Sequence, residues 1–142
     1  MNLVKNILEA KPSGAVTILP EASVIEALRL MAEKNIGSVI VMQGGKYLGI
    51  FTERDYSRKV VLEGKNSSAT KVSEIMSTGL PKLKPHDSIE LCMELMNNRN
   101  IRYLPVFDDG ILCGIVSISD VIRQLLLVQQ ETIQHLENYI HQ

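Results

Sequence analysis

The chain contains the stretch Gly49-Ile50-Phe51-Thr52-Glu53-Arg54-Asp55, and 65 residues later it contains the related stretch Gly114-Ile115-Val116-Ser117-Ile118-Ser119-Asp120. The same offset pairs Pro20 with Pro85 and Asn35 with Asn100, without any gap. The sequence therefore consists of two copies of one unit of roughly 60 residues. A unit of that size buries little core by itself, so we expect the two halves to pack face to face.

Composition excludes several classes of protein. Lysine and arginine (15) nearly balance aspartate and glutamate (16), so no global field recruits nucleic acid or an anionic membrane. Aromatic residues are only 4% of the chain, which also argues against nucleic-acid binding. The amino terminus lacks the apolar stretch of a signal peptide, and no apolar run approaches the ~18 residues that span a bilayer. We expect a cytoplasmic protein with no nucleic-acid partner and no membrane insertion.

Both copies show the same order of elements. In the first copy, a short extended run from Ala15 to Leu19 precedes a helix that Ser23 can cap, and two strands around Gly44-Gly45 form a hairpin. After Thr52 the apolar period becomes helical again. One copy thus reads β-α-β-β-α. The predicted class is α+β, with two pseudo-symmetric repeats packed sheet to sheet and a long carboxy-terminal helix. In the second copy the first strand is expected at Leu80–Leu83, and Pro105 should lie at an edge or a cleft because it cannot donate to a ladder.

The repeat and its linker set the predicted boundaries. Residues 62–71 are polar and rich in turn formers, which separates a first domain at 6–64 from a second at 72–128. A short amphipathic helix precedes each copy. We expect residues 129–142 to form a helical extension.

The last helix carries a repeat of its own. Leu126, Ile133 and Ile140 recur every seven residues, and Ile122 and Leu136 fill part of a second stripe. This helix either forms a seam between subunits or folds back on its own domain.

The sequence gives little support for catalysis or metal binding. Cys92 and Cys113 occupy apolar positions, so we expect two buried, reduced thiols rather than a disulfide. His135 and His141 lie far apart around a helix, which argues against a metal site. There is no Cys/His or Ser/His/Asp grouping and no glycine-rich Walker loop. We therefore expect no enzymatic activity, no metal and no required cofactor.

The repeated stretch itself allows two interpretations. Thr52 with Asp55, and Ser117 with Asp120, have the spacing of a capping box, which stabilises a helix start by ~1 kcal/mol and needs no ligand. The same start presents free N–H groups and a positive dipole end that favour a phosphate. A hydroxyl can donate to that phosphate, and a carboxylate can accept both hydrogens of a ribose diol. The second interpretation predicts a nucleotide, and it gains weight because the motif occurs twice.

The repeat unit resembles the CBS domain, named for cystathionine beta-synthase, and the tandem resembles a Bateman module. The resemblance rests on the hydrophobic-hydrophobic-[Thr/Ser]-x-x-Asp pattern after each glycine, and it covers about residues 6–127. It implies a regulatory role such as energy sensing, with AMP, ADP, ATP, NAD or S-adenosylmethionine bound in two clefts between the repeats. It also implies a homodimer and, as a partner, a regulated enzyme or transporter.

The resemblance assigns roles residue by residue. Asp55 and Asp120 would hold the two riboses, and Thr52 and Ser117 would contact phosphate or ribose. The first-strand segments would offer backbone groups to adenine, and Arg102 would clamp a phosphate. The expected ligand-binding residues are Thr17, Ile18, Thr52, Arg54, Asp55, Lys82, Arg102, Tyr103, Pro105, Ser117 and Asp120.

The two copies differ at the helix start. Arg54 lies beside Asp55, whereas the matching position in the second copy is Ser119. We therefore predict two inequivalent sites, with the Thr52/Asp55 site the better phosphate binder. The alternative is a ligand-free scaffold that acts through dimerisation and its last helix.

Overall fold

The computed structural model describes residues 2–11 and 14–141, which form two compact units. The central unit is Ala15–Leu80, and the terminal unit joins the amino-terminal segment up to Gly14 with the chain from Pro81 onward. The predicted α+β class and the long carboxy-terminal helix are confirmed. The elements follow in chain order as α1 (Val4–Ala10), β1 (Thr17–Ile18), α2 (Val24–Lys34), β2 (Ser38–Gln43), β3 (Lys46–Thr52), α3 (Glu53–Asp55), a π-helix (Tyr56–Val61), α4 (Val72–Ile75), α5 (Ile89–Arg99), β4 (Tyr103–Asp108), β5 (Ile111–Ser117) and α6 (Ile118–Ile140).

The central unit is built on a three-stranded sheet in the order β1-β2-β3. β1 runs parallel to β2, and β2 pairs antiparallel with β3, with Ser38 opposite Thr52. Gly44 and Gly45 both have positive φ (58° and 77°), as a tight hairpin turn of the primed type requires. This hairpin delivers the end of β3 directly to the start of α3.

Helix α2 covers one face of this sheet. The Ser23 hydroxyl accepts the N–H of Glu26 and the Glu26 carboxylate accepts the N–H of Ser23, both at 3.2 Å, which completes a capping box. Asn35 ends the helix in the left-handed region with φ 54°. The apolar face packs with the sheet and with α4 to bury a core formed by Val24, Ala27, Met31, Val39, Val41, Phe51, Val60, Val72 and Ile75.

The terminal unit has a two-stranded sheet of β4 and β5, covered by α1, α5 and α6. The strand expected at Leu80–Leu83 is reduced to one parallel bridge between Leu83 and Val106. Proline explains the loss: in the central unit the N–H of Ile40 donates to the carbonyl of Val16 at 3.0 Å, and the repeat replaces Ile40 by Pro105, which has no N–H. Pro105 therefore limits the pairing of the Leu80–Leu83 segment with β4 to a single bridge. As predicted, Pro105 lies on the edge of β4 that does not pair with β5.

The two short helices exist as predicted, but each packs with the other repeat. α1 contacts β5 and α6 of the terminal unit, and α4 packs beside the π-helix of the central unit. After α4, Ser77 pairs with Ile50, exchanging two backbone hydrogen bonds of 3.0 and 2.8 Å at the outer edge of β3. The compact units are therefore offset from the predicted boundaries 6–64 and 72–128, which describe the sequence repeat.

Three local predictions need correction. The first strand is only Thr17–Ile18, and the helix after Thr52 widens into a π-helix, in which the N–H of Leu62 donates to Ser57. Cys113 is exposed, because Gly114 and Val116 alternate toward the core and Cys113 points to the other face of β5. Cys92 is buried as expected, and burial, with the nearby charges of Asp120 and Asp87, raises its thiol pKa to about 11.

The 23-residue α6 is the longest helix between residues 2 and 141. Neither it nor any other helix of the described chain has the length and the apolar character that crossing a bilayer requires.

The glycines that open the repeated stretches allow the short helices to dock. A Cβ on Gly49 would lie 2.7 Å from the Ser77 carbonyl oxygen, which is backbone, whereas a Cβ on Gly114 would lie 3.1 Å from Leu8 Cδ2, the tip of a flexible side chain. We predict that Gly49→Ala lowers the free energy of unfolding by about 2 to 3 kcal/mol, the cost of overpacking against a fixed neighbour. Gly114→Ala should cost less than about 1 kcal/mol, because Leu8 can change rotamer. Urea denaturation of both variants measures the difference, and equal losses would contradict this account of the docking.

Candidate functional site

The first candidate site is the start of the helical segment formed by α3 and the π-helix. Thr52 Oγ1 accepts the N–H of Asp55 at 3.1 Å, and the N–H of Thr52 donates to Asp55 Oδ2 at 3.0 Å. This reciprocal pair is the capping box that the spacing predicts. It orients the carboxylate back toward the end of β3.

Asp55 is almost fully buried, at 4% exposed, and it is well supplied with donors. Ser77 Oγ donates to Oδ1 at 2.8 Å, and Lys59 Nζ forms an ion pair with the same oxygen at 2.9 Å. Lys59 Nζ also donates to the carbonyl of Ile75 at 3.1 Å. The carboxylate thus links the helix start to α4 and to the segment that follows it.

The second candidate site repeats this geometry at the start of α6. Ser117 Oγ accepts the N–H of Asp120 at 3.1 Å, and the N–H of Ser117 donates to Asp120 Oδ2 at 2.9 Å. Lys11 Nζ donates to the same Oδ2 at 2.9 Å and to the carbonyl of Ile115 at 2.8 Å. Arg123 contacts Oδ1 at 3.3 Å. Lys11 follows α1, so this buried carboxylate fixes the amino-terminal helix to its unit.

The environment of Asp120 favours the charged form. Burial by itself would raise the carboxyl pKa, but the hydrogen bonds from Lys11 and Ser117 and the charge on Lys11 together lower the pKa below its ordinary value. Asp120 is 8% exposed and remains ionised at neutral pH. The bond to Lys11 is therefore a charge-assisted one.

The number of unused hydrogen-bonding positions at each helix start limits what a ligand can contact there. A carboxylate offers about four acceptor positions, and each of these two already receives three donors. To accept both hydroxyls of a diol, Asp55 or Asp120 must release at least one partner. The Thr52 and Ser117 hydroxyls act here as acceptors, so each keeps its own hydrogen for donation to an anion.

The remaining predicted residues of the central unit lie on both sides of β2. Thr17 and Ile18 pair with β2 on one edge, and Thr52 lies at the end of β3 on the other, so β1 and β3 are about 10 Å apart. Arg54 is partly buried in the first turn of the helix. A pocket of about 280 Å³, which the sequence did not indicate, borders this helix start and is lined by Leu28, Met31, Ala32, Asn35, Ile36, Gly37 and Glu53.

In the terminal unit the structure brings two of the predicted residues to the helix start. Tyr103 lies directly opposite Ser117 in the sheet, and the carbonyl of Arg102 accepts the N–H of Ile118 at 2.9 Å. The side chain of Arg102 is exposed. Lys82 lies with its Nζ 4.7 Å from the centre of the Phe107 ring, and Pro105 is buried in β4. These last two lie further along the sheet than Tyr103.

Sequence reasoning missed the cations that hold the two carboxylates. Lys59 could have been found, because it stands four residues after Asp55 on the same helix. Lys11 could not, because 109 residues separate it from Asp120 and no local pattern connects them. Ser77 falls in the same category, since its hydroxyl reaches Asp55 only through the docking of α4.

The described residues contain no cluster of side chains that could bind a metal ion. Across residues 2–11 and 14–141, no group of three or more His, Cys, Asp or Glu side chains is arranged to hold a metal ion.

Comparison with known proteins gives a consistent picture. The family model described as "CBS domain" matches residues 4–61 and 72–127. The chain is 37% identical over 123 residues to the mitochondrial CBS domain-containing protein CBSX3 of Arabidopsis thaliana, covering 83% of this chain and 60% of that protein. It is 32% identical to the CBS domain-containing protein YhcV of Bacillus subtilis, covering 83% of this chain and 84% of that one. A solved structure of a CBS-domain protein from Burkholderia ambifaria superposes with a TM-score of 0.83 at 41% identity, covering 88% and 94% of the two chains.

The Lys11–Asp120 bond predicts a pH-dependent stability. Because the folded pKa of Asp120 lies below its unfolded value of about 3.9, the bond contributes fully above about pH 5 and is lost as the pH falls through the folded pKa. Lys11→Met should therefore lower the free energy of unfolding by about 2 kcal/mol at pH 7. The difference from the parent should shrink as the pH falls through the folded pKa of Asp120, leaving only the part due to the bond between Lys11 and the Ile115 carbonyl.

Chemical denaturation between pH 7 and pH 2 measures this effect. Lys5→Met is the matched control, since Lys5 lies on α1, the helix that Lys11 follows, and is not a partner of Asp120. A Lys11→Met deficit that is independent of pH, or equal to that of Lys5→Met, would rule out the ion pair as its source.

Proposed function

Because the chain belongs to the CBS-domain family and carries two such domains in tandem, we propose that it is a regulatory module that binds an adenosyl ligand at its two helix starts. The ligand class is that of AMP, ADP, ATP, NAD and S-adenosylmethionine. One observation carries the proposal: a hydroxyl and a buried, charged carboxylate stand at a strand-to-helix junction in both units. Tandem CBS domains are regulatory modules and commonly bind nucleotides, and this chain retains the polar pair in each copy.

The phosphate contacts come from the helix start and from one arginine in each unit. The Thr52 or Ser117 hydroxyl donates to the phosphate, and the first-turn N–H groups add the field of the helix dipole. Arg54 supplies the cation from the helix itself in the central unit, and Arg102 supplies it from the residue before β4 in the terminal unit. The two sites thus use arginines that approach from different elements.

The ribose contacts require the carboxylates to exchange partners. At Asp120 the diol displaces Arg123, whose side chain is 68% exposed and whose ion pair contributes little in water. At Asp55 it displaces Lys59, which is 45% exposed. The capping bonds to the helix N–H groups stay intact, so the ligand does not unravel the helix start.

This exchange supplies the regulatory signal. Lys11 and Ser77 link the same carboxylates to the segments that follow α1 and α4, so a ligand that redistributes charge at Asp120 or Asp55 changes how tightly those segments are held. The ligand binds with different affinity to the protein with these segments held tightly and to the protein with them held loosely. A partner, such as a regulated enzyme or transporter, that also distinguishes the two states is thereby coupled to the ligand.

A thermal-unfolding panel with the five ligand types tests the proposal. A ligand at ~100 times its dissociation constant stabilises by ~2.7 kcal/mol, which corresponds to a rise in Tm of about 5 to 10 °C. We expect one ligand to produce this rise, and Asp55→Asn together with Asp120→Asn to abolish it, because an asparagine amide oxygen can still accept the N–H of Thr52 or Ser117 but carries no charge.

Asp109→Asn is the matched control, since Asp109 lies in the β4–β5 turn with φ 53°, a conformation that asparagine also adopts. A rise that survives in the double variant, or the absence of any rise in the parent, would refute the proposal and leave the repeated motif as a pair of helix caps.

The difference between the two arginines predicts inequivalent sites. In a two-site calorimetric titration with ATP, Arg54→Gln should weaken one site about tenfold, and Arg102→Gln should weaken the other by a similar factor. The parent should bind more tightly at the site that contains Arg54, where the cation lies in the first turn of the helix. Two identical sites, or one variant that weakens both equally, would contradict this assignment.

A further inference from the structure

The carboxy-terminal half of α6 has nothing packed against it within its own unit. Val121 and Gln124 are buried, but every residue from Gln129 to Ile140 is exposed. Among them, Ile133, Leu136 and Ile140 are each more than half exposed. A helical segment of this length is marginal by itself in water, so its apolar side chains need a partner surface.

The apolar positions follow a strict heptad spacing. Steps of four and three residues alternate through Ile122, Leu126, Gln129, Ile133, Leu136 and Ile140. Five of these six positions are apolar, and the five side chains are all exposed. The pattern is that of a two-stranded coiled-coil seam, with Gln129 as its single polar position.

We propose that this seam binds the α6 helix of a second copy in antiparallel orientation. Aligning the seam with itself in reverse places Ile122 against Ile140, Leu126 against Leu136, and Gln129 against Ile133. Every heptad position then meets a heptad position of the other copy. The apolar seam rests on α6 alone and does not depend on ligand binding at either helix start. Its charge contact uses Arg123, which also pairs with Asp120 of its own helix at 3.3 Å.

Charge selects this orientation. Arg123 and Glu137 both flank the seam on the same side, and the antiparallel alignment brings Arg123 of each copy beside Glu137 of the other. In a parallel alignment, Glu137 would face Thr132 instead. Residues 129–140 contain Glu131 and Glu137 but no lysine or arginine, so parallel pairing would also place two acidic segments side by side. The opposed helix dipoles further favour the antiparallel form.

Sedimentation velocity of the full chain, measured from about 1 to about 100 µM, tests the seam. We expect a dimer that Leu136→Asp dissociates. Glu137→Arg should weaken the dimer about tenfold, since it replaces two attractive contacts by two repulsive ones. Glu131→Arg is the matched control, because it makes the same charge change on the same helix at the outward-facing position. All three side chains are exposed, so these variants keep the fold of the unit.

A spin label attached through Asn138→Cys, in a Cys113→Ser background, reports the relative orientation of the two α6 helices. The antiparallel seam separates the two labelled backbones by about 20 Å along the axis, whereas a parallel seam leaves them about 10 Å apart. A monomer at the highest concentration, or a dimer that Leu136→Asp leaves intact, would overturn the seam. Equal effects of Glu137→Arg and Glu131→Arg, or the short label distance, would overturn the antiparallel register.

Discussion

A buried carboxylate that caps its own helix and at the same time binds a distant lysine is the interaction on which the terminal unit depends. Asp120 accepts the N–H of Ser117 and the ammonium of Lys11, and Lys11 also bonds to the carbonyl of Ile115. One side chain therefore fixes the start of α6, the end of β5 and the segment after α1. Removing Lys11 leaves the buried carboxylate with only the exposed Arg123 as a counterion, which is why the cost exceeds that of a surface ion pair.

The central unit also holds a buried carboxylate at a helix start, but with different partner residues. Asp55 takes Lys59 from its own helix and the Ser77 hydroxyl from the segment after α4. The repeat replaces Lys59 by Gln124, which is buried in the terminal unit, and there the cations are Lys11, directly after α1, and Arg123 of α6. The two copies thus keep the carboxylate and its geometry while changing the source of its partners. The capping box by itself needs only an acceptor at this third helical position, such as a glutamate or a glutamine, whereas a ribose diol needs a carboxylate at this reach in both copies.

Much of this arrangement could be predicted from sequence because its causes are local. The spacing of Thr52 and Asp55 predicts the capping box, and Gly44-Gly45 predicts the hairpin turn. The strand expected at Leu80–Leu83 is a wrong prediction, because Pro105 removes the N–H that would pair with it. What the sequence did not predict depends on tertiary packing. Lys11 and Ser77 reach their carboxylates only after α1 and α4 have docked. Each of these helices precedes one copy of the repeat in sequence but packs on the unit formed by the other copy. The alternation of buried and exposed residues along β5 predicts that Cys113 is exposed. The apolar residues on both sides of Cys113 led instead to the expectation that it is buried.

We propose that each carboxylate accepts a ribose diol by releasing an exposed cation, and one comparison of ligands tests this most directly. For the ligand that stabilises the protein, calorimetry would compare the ribonucleotide with its 2′-deoxy form. If the carboxylates hold the diol, loss of one hydroxyl leaves a buried charge with an unmade bond, and the affinity should fall at least about tenfold at both sites. Equal affinities for the two forms would show that Asp55 and Asp120 do not read the ribose, and their role would then be confined to holding the helix starts.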